Sequence, residues 1–69
     1  MAVLKIRQLR TNRKWALEFV SRRVGVSAQM IHAVETGKRK PSYELLIQLC
    51  DLYNIPIELV KQLFEEADA

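Results

Sequence analysis

Apolar side chains recur every three or four positions along almost the whole chain. That is the spacing of helices that bury one face, and no two-residue alternation lasts long enough to make a strand. Leu4, Ile6 and Leu9 predict a first helix over about residues 2–12. Trp15, Phe19, Val20 and Val24 predict a second over about 16–24, closed by Gly25, which can take the positive φ that a helix C-terminus often needs. Ser27 is placed to cap a third helix, its hydroxyl satisfying a free backbone N–H. Met30, Ile31 and Val34 give that helix its apolar side, and Gly37 ends it at about residue 36. Pro41 holds Lys40 extended, so a helix does not run through this point. Ser42 is a second cap, followed by Leu45, Leu46, Leu49, Leu52 and Tyr53 on a helix over about 43–53. Asn54, tolerant of the left-handed conformation, stops it. Pro56 suits the first turn of a fifth helix over about 57–67, carrying Val60, Leu63 and Phe64. The expectation is a single all-α domain, a compact five-helix unit over residues 1–69.

Length and composition narrow the classes. A chain of 69 residues has room for one domain and buries only about 60% of its unfolded surface. With 49% apolar and 28% charged residues it reads as folded rather than disordered. No apolar run approaches the ~20 residues of a membrane span. Lys5 and Arg7 interrupt any signal-peptide core, so a cytoplasmic protein with no membrane partner is expected. Cys50 is the one cysteine and His32 the one histidine, which excludes an internal disulfide and a structural zinc cluster. No nucleotide-cradling glycine loop is present, and Cys50 lies among Leu46, Leu49 and Tyr53, where it reads as a small hydrophobe. No enzyme, cofactor or metal is expected.

The net charge of +3 hides an asymmetry. Residues 1–41 carry ten Lys or Arg against two Glu, a net +8, whereas residues 42–69 carry one Lys against six Asp or Glu, a net −5. A polyanion partner for the first part would account for this, as would two solvated halves that attract each other.

The informative stretch is 15–42. A helix, the turn Val24-Gly25-Val26-Ser27 and a second helix reaching Ile31 and Val34 have the spacing of a helix-turn-helix, with the motif at about 16–36. Gly25 makes the sharp turn, Val20, Val24 and Ile31 fill the crossing, and Ser21 is small enough for close approach. These residues, with Val34-Glu35, Gly37-Lys38-Arg39-Lys40-Pro41-Ser42, Ile6, Leu9, Arg10, Leu45, Leu49 and Asn54-Ile55-Pro56-Ile57, resemble the Cro/repressor (Xre-type) helix-turn-helix family over roughly residues 4–60.

The resemblance implies the lambda-repressor-like fold, double-stranded DNA as partner, a homodimer, and transcriptional regulation, as a repressor of bacterial, phage or mobile-element origin. It places the helix over 28–36 in the major groove. The face opposite Ile31 and Val34 then carries the base contacts: Ala28, Gln29, His32 and Ala33. Gln29 is the best reader, since its amide pairs bidentately with adenine N6 and N7. Lys38, Arg39 and Lys40 lie where the family's loop grips phosphate, with the amides near Gly37 as further donors. Arg13 and Lys14 are second-rank phosphate candidates, and Ser27 and Thr36 flank the helix as others. Arg10 and Glu35 occupy the positions of an ion pair linking the first helix to the recognition helix, and Arg10 is in addition a phosphate candidate.

The chain also departs from the family. A polar cap and a Gln are usual where Ala16 and Leu17 stand, and a charged residue where Phe19 stands. Trp15 and Phe19, four apart, are expected to pack together as core. Leu17 and Met30 have no evident burial site and mark either a surface for another protein or a contact with sugar and thymine-methyl surfaces. Ile57, Leu63 and Phe64 exceed what a five-helix core needs and mark a dimer surface, with ordinary packing of the last helix as the alternative. Two other readings stay open: a protein-binding regulator on the same fold, such as an antirepressor, and the antitoxin of a toxin–antitoxin pair.

Overall fold

In a computed structural model that describes residues 4–66, five α-helices and one 3-10 turn follow in order: α1 (Lys5–Asn12), α2 (Leu17–Val24), α3 (Ala28–Glu35), α4 (Tyr43–Tyr53), the 3-10 turn Ile57–Leu59 and α5 (Val60–Leu63). The described residues hold no strand, only an isolated antiparallel bridge between Leu4 and Glu66. The all-α, five-helix expectation is met.

Two helix starts, those of α3 and α4, follow the predicted chemistry. Met30 N–H donates to Ser27 Oγ at 3.1 Å and Leu45 N–H to Ser42 Oγ at 3.2 Å, so both predicted caps are made. Four helices then end in one way, with a left-handed residue that lets the next N–H reach back to a free carbonyl. Gly25, Gly37 and Asn54 hold φ of 75°, 78° and 58°. Val26 N–H reaches Ser21 O, Lys38 N–H reaches Ala33 O, and Ile55 N–H reaches Cys50 O. At Gly37 a Cβ would meet Leu4 Cδ1 at 3.9 Å, an ordinary contact, so backbone conformation rather than space calls for glycine. The fourth stop is Lys14, with φ of 58° and no glycine to signal it.

Every helix contributes to one core: Leu4 and Ile6, Val20 and Val24, Ile31 and Val34, Leu45, Leu49, Cys50 and Tyr53, and Leu63. The most extensive helix contact is α2 against α3, where Val20, Val24 and Ile31 fill the crossing as expected. Burial, and secondly the charge of Asp51, push the Cys50 thiol pKa up, which fits an inert packing role.

Four expectations are corrected. The fifth helix does not run over 57–67; a 3-10 turn leads into only four α-helical residues, because the last turn folds back to place Leu63 in the core and to bond Lys5 N–H to Glu65 O at 2.9 Å. The C-terminal end of that prediction, and residues 2 and 3 of the first helix, lie outside the described residues. Phe19 is not core: it remains 40% exposed, although its ring rests 4.9 Å from that of half-buried Trp15. Leu63 is buried, so of the predicted dimer residues only Ile57 is well exposed, and Phe64 is half-buried against the core. Leu17 and Met30 likewise find burial sites after all, packed in part against that core.

Candidate nucleic-acid interface

α3 packs on the body through Ile31 and Val34, and one buried ion pair ties it to α1. Arg10 Nε donates to Glu35 Oε2 at 2.8 Å and Nη2 to Oε1 at 3.1 Å, a bidentate pair, while Nη1 donates to the Trp15 carbonyl at 2.8 Å. One guanidinium therefore joins the ends of α1 and α3 to the turn before α2. Glu35 is 2% exposed and Arg10 9%. Taking both charges out of water is tolerable only because each is matched and hydrogen-bonded. The pair expected from the resemblance is present. The second role expected of Arg10, phosphate contact, has little surface to act through: three of its five N–H donors are engaged inward and the residue is 9% exposed.

Beyond the pair, the outer side of α3 faces water. Gln29 and His32 are exposed, and Ala28 and Ala33 are half-buried, while Ile31 and Val34 point into the core. The four expected base-contact residues thus share one face. The two alanines add little bulk around the Gln29 amide.

Lys38, Arg39 and Lys40 follow directly and are all exposed. Their backbone is less available than expected. Gly37 N–H donates to Val34 O, and Lys38 and Arg39 N–H donate to Ala33 O, because the left-handed turn at Gly37 folds these amides onto the carbonyl end of α3. The loop can offer side-chain cations to phosphate but not those three amides.

The other phosphate candidates divide. Ser27 is exposed and accepts only one backbone N–H, so its hydroxyl hydrogen is free to donate outward. Thr36 spends its hydroxyl hydrogen on the carbonyls of His32 (3.0 Å) and Ala33 (3.3 Å) and is half-buried, so that expectation is corrected. Lys14 is exposed at the turn between α1 and α2. Arg13 donates to the carbonyls of Leu9 (2.9 Å) and Tyr53 (3.4 Å) and lies 5.6 Å from the Trp15 ring and 5.3 Å from the Tyr53 ring. It ties the ends of α1 and α4 together, a role that the sequence did not signal because its partner on α4 lies 40 residues away.

At the start of α2 no side chain caps the free N–H groups, and Ala16 and Leu17 offer none outward. Among the described residues there is no group of three or more His, Cys, Asp or Glu able to hold a metal, and no helix is long and apolar enough to cross a membrane.

Residues 6–60 match a family model described as helix-turn-helix. Over 50 residues, 72% of the chain, the sequence is 30% identical to the HTH-type transcriptional regulator AnsR of Bacillus subtilis (strain 168). The chain spans 43% of that protein's length.

Proposed function

Because this chain belongs to the helix-turn-helix family in its Cro/repressor (Xre) type, we propose that it is a sequence-specific double-stranded DNA-binding transcriptional regulator, acting as a repressor and without enzymatic activity. The observation that carries this reading is the outer face of α3: an exposed Gln29 and His32 flanked by short side chains, held in orientation by the Arg10–Glu35 pair and followed by three exposed cations. Such a helix fits the major groove, where Gln29 pairs with adenine N6 and N7 and the alanines allow close approach to thymine methyls. Lys38, Arg39, Lys40, Lys14 and Ser27 fix its register on phosphate. The similar regulator from Bacillus subtilis supports the regulatory role.

A homodimer would read two inverted half-sites about one helical turn apart. Ile57, 38% exposed, and its neighbour Leu59, 41% exposed, are the apolar residues near the C-terminus best placed to form it.

The test is selection of bound duplexes from a random pool by the purified protein, followed by salt titration. A defined inverted site is expected. Replacing Lys38 and Lys40 by Ala is expected to weaken binding to all sequences alike and to flatten the salt slope by about one unit for each phosphate no longer neutralised. A parent slope and affinity in that variant would show the loop to be merely solvated, and selection of no sequence would remove the reading.

A further inference from the structure

Beside the basic loop lies a groove whose apolar lining the phosphate grip leaves unused. It encloses about 410 Å³, with Leu4, Leu46 and Phe64 in its floor, Pro41 in its wall, and Arg39 and Lys40 on its rim. No carboxylate lines it. Leu46 and Phe64 are half-buried, so each keeps apolar surface toward water. The apolar surface continues outward along α4: Tyr43, 69% exposed, and Ile47, 38% exposed, are one turn apart on the side next to Leu46. α4 buries Leu45, Leu49, Cys50 and Tyr53 on its other side, and among the described residues nothing covers Tyr43 and Ile47 to the same degree. A contiguous apolar patch with a charged rim marks a site of association.

The chemistry of the rim and floor selects the occupant. Duplex DNA meets the cations but offers nothing to fill an apolar channel. A second copy of this chain brings the same cationic loop together with an acidic half of net −5 over residues 42–69, so self-association of the protein without peptide, at the groove, would overturn assignment of the site to a partner protein. A polypeptide segment that alternates carboxylates with large apolar side chains satisfies both parts at once. We propose that this groove is a docking site for an acidic, apolar segment of a partner protein, whose carboxylates pair with Arg39 and Lys40 while its apolar side chains seat against Leu46, Phe64 and the Tyr43–Ile47 stripe. Arg39 and Lys40 also belong to the proposed phosphate grip. On the DNA-binding reading above, a seated segment therefore takes two of the loop's three cations away from DNA, and partner and operator exclude each other.

The experiment presents the whole protein with two displayed libraries of short peptides. Both carry large apolar residues at fixed positions, one with Asp or Glu between them and the other with Lys or Arg. The best binder is then fluorescently labelled and titrated by anisotropy. The acidic library is expected to be enriched over the basic one, and the complex to weaken with added salt. Arg39→Glu with Lys40→Glu alters only exposed side chains and is expected to weaken the labelled peptide by about tenfold or more. Tyr43→Ser with Ile47→Ser is expected to weaken it by at least about threefold. Arg22→Glu with Arg23→Glu, exposed on α2, is the charge-matched control and should leave binding within about twofold. Equal enrichment of the two libraries, or affinity unmoved by the Arg39 and Lys40 reversal, would overturn the site. Displacement of the peptide by a selected duplex is expected, and simultaneous binding would overturn the exclusion. Failure to bind any duplex would count against the DNA reading alone, because the peptide titration contains no DNA.

Discussion

Two ion pairs close two different parts of this molecule, and the contrast separates what orients the recognition helix from what merely tidies the ends. Arg10 and Glu35, 25 residues apart, meet in the interior, two-pronged, with a third guanidinium bond to the Trp15 carbonyl. Lys5 and Glu65, 60 residues apart, meet at 3.0 Å on the surface, with side chains 44% and 58% exposed. The first pair sits in a low-dielectric site where an unmatched charge is costly. The second is solvated, screened by salt, and backed by the Lys5 N–H to Glu65 carbonyl bond, which needs neither side chain. Geometry that looks alike on a distance scale therefore carries different weight, and burial decides which.

The largest expected effect tests the interior pair. Arg10→Met and Glu35→Leu, made singly, should each destabilise the domain by about 3–5 kcal/mol, a large part of the ~5–15 kcal/mol of a small domain. The double change should cost clearly less than their sum. Urea denaturation of the four proteins gives the coupling, and a value near zero would reduce this pair to the rank of the surface one.

The next effect asks whether the interior pair matters to reading. Gln29→Ala is expected to weaken binding to the selected site by about 1–3 kcal/mol, concentrated at one A·T pair per half-site, with little change on unrelated DNA. In the Arg10→Met, Glu35→Leu background the same change should cost less, since α3 has lost its fixed orientation. Titration of single-base variants of the site measures both. An undiminished Gln29 effect in that background would show that packing of Ile31 and Val34 orients the helix without the pair.

A smaller effect lies behind the interior pair. Tyr53 is 1% exposed, and its hydroxyl has no hydrogen-bond partner among the described residues. Burial foremost, then the Glu35 charge, push its pKa up to about 12, against the opposing pull of Arg10 and Arg13. The unfolded phenol ionises near pH ~10. Between those values the unfolded chain gives up a proton that the folded chain keeps, so stability should fall as pH rises through that window. Tyr53→Phe should remove that alkaline loss and raise stability at neutral pH by about 1 kcal/mol, because an unsatisfied buried hydroxyl is deleted. Denaturation at neutral and alkaline pH checks both, and a destabilised variant would reveal a partner for the hydroxyl.

The smallest effect belongs to the surface pair. Lys5→Ala should cost about 0–1 kcal/mol and lose even that at high salt. A cost comparable to that of Arg10→Met would erase the contrast.

Local signals explain how much of this could be read in advance. Ser27, Ser42, Gly25, Gly37 and Asn54 act on atoms within a few residues of themselves, and each cap and stop appears where its chemistry requires. The Gln29–His32 face follows from the 3.6-residue period that also buries Ile31 and Val34. Lys14 carried no such signal: a lysine held at φ 58° is dictated by the turn into α2. Nor did the C-terminal end, where apolar residues at helical spacing pointed to one long helix. Long-range pairing with Leu4 and Lys5 and burial of Leu63 shortened it to one turn.

The sequence by itself determined the helices, their caps, the charge asymmetry and the family-shaped motif, since period, capping and backbone preference depend on near neighbours. Only the tertiary structure decided which cations remain free. Arg10, Arg13, Lys38, Arg39 and Lys40 are equally basic in the chain, yet folding buries Arg10 against a carboxylate and a carbonyl and lays the still exposed Arg13 against the Tyr53 carbonyl, while the three loop cations are left to the solvent. The groove beside that loop is of the same kind: Leu4, Leu46 and Phe64 are far apart along the chain, and only the packing of α1, α4 and α5 brings them to one surface.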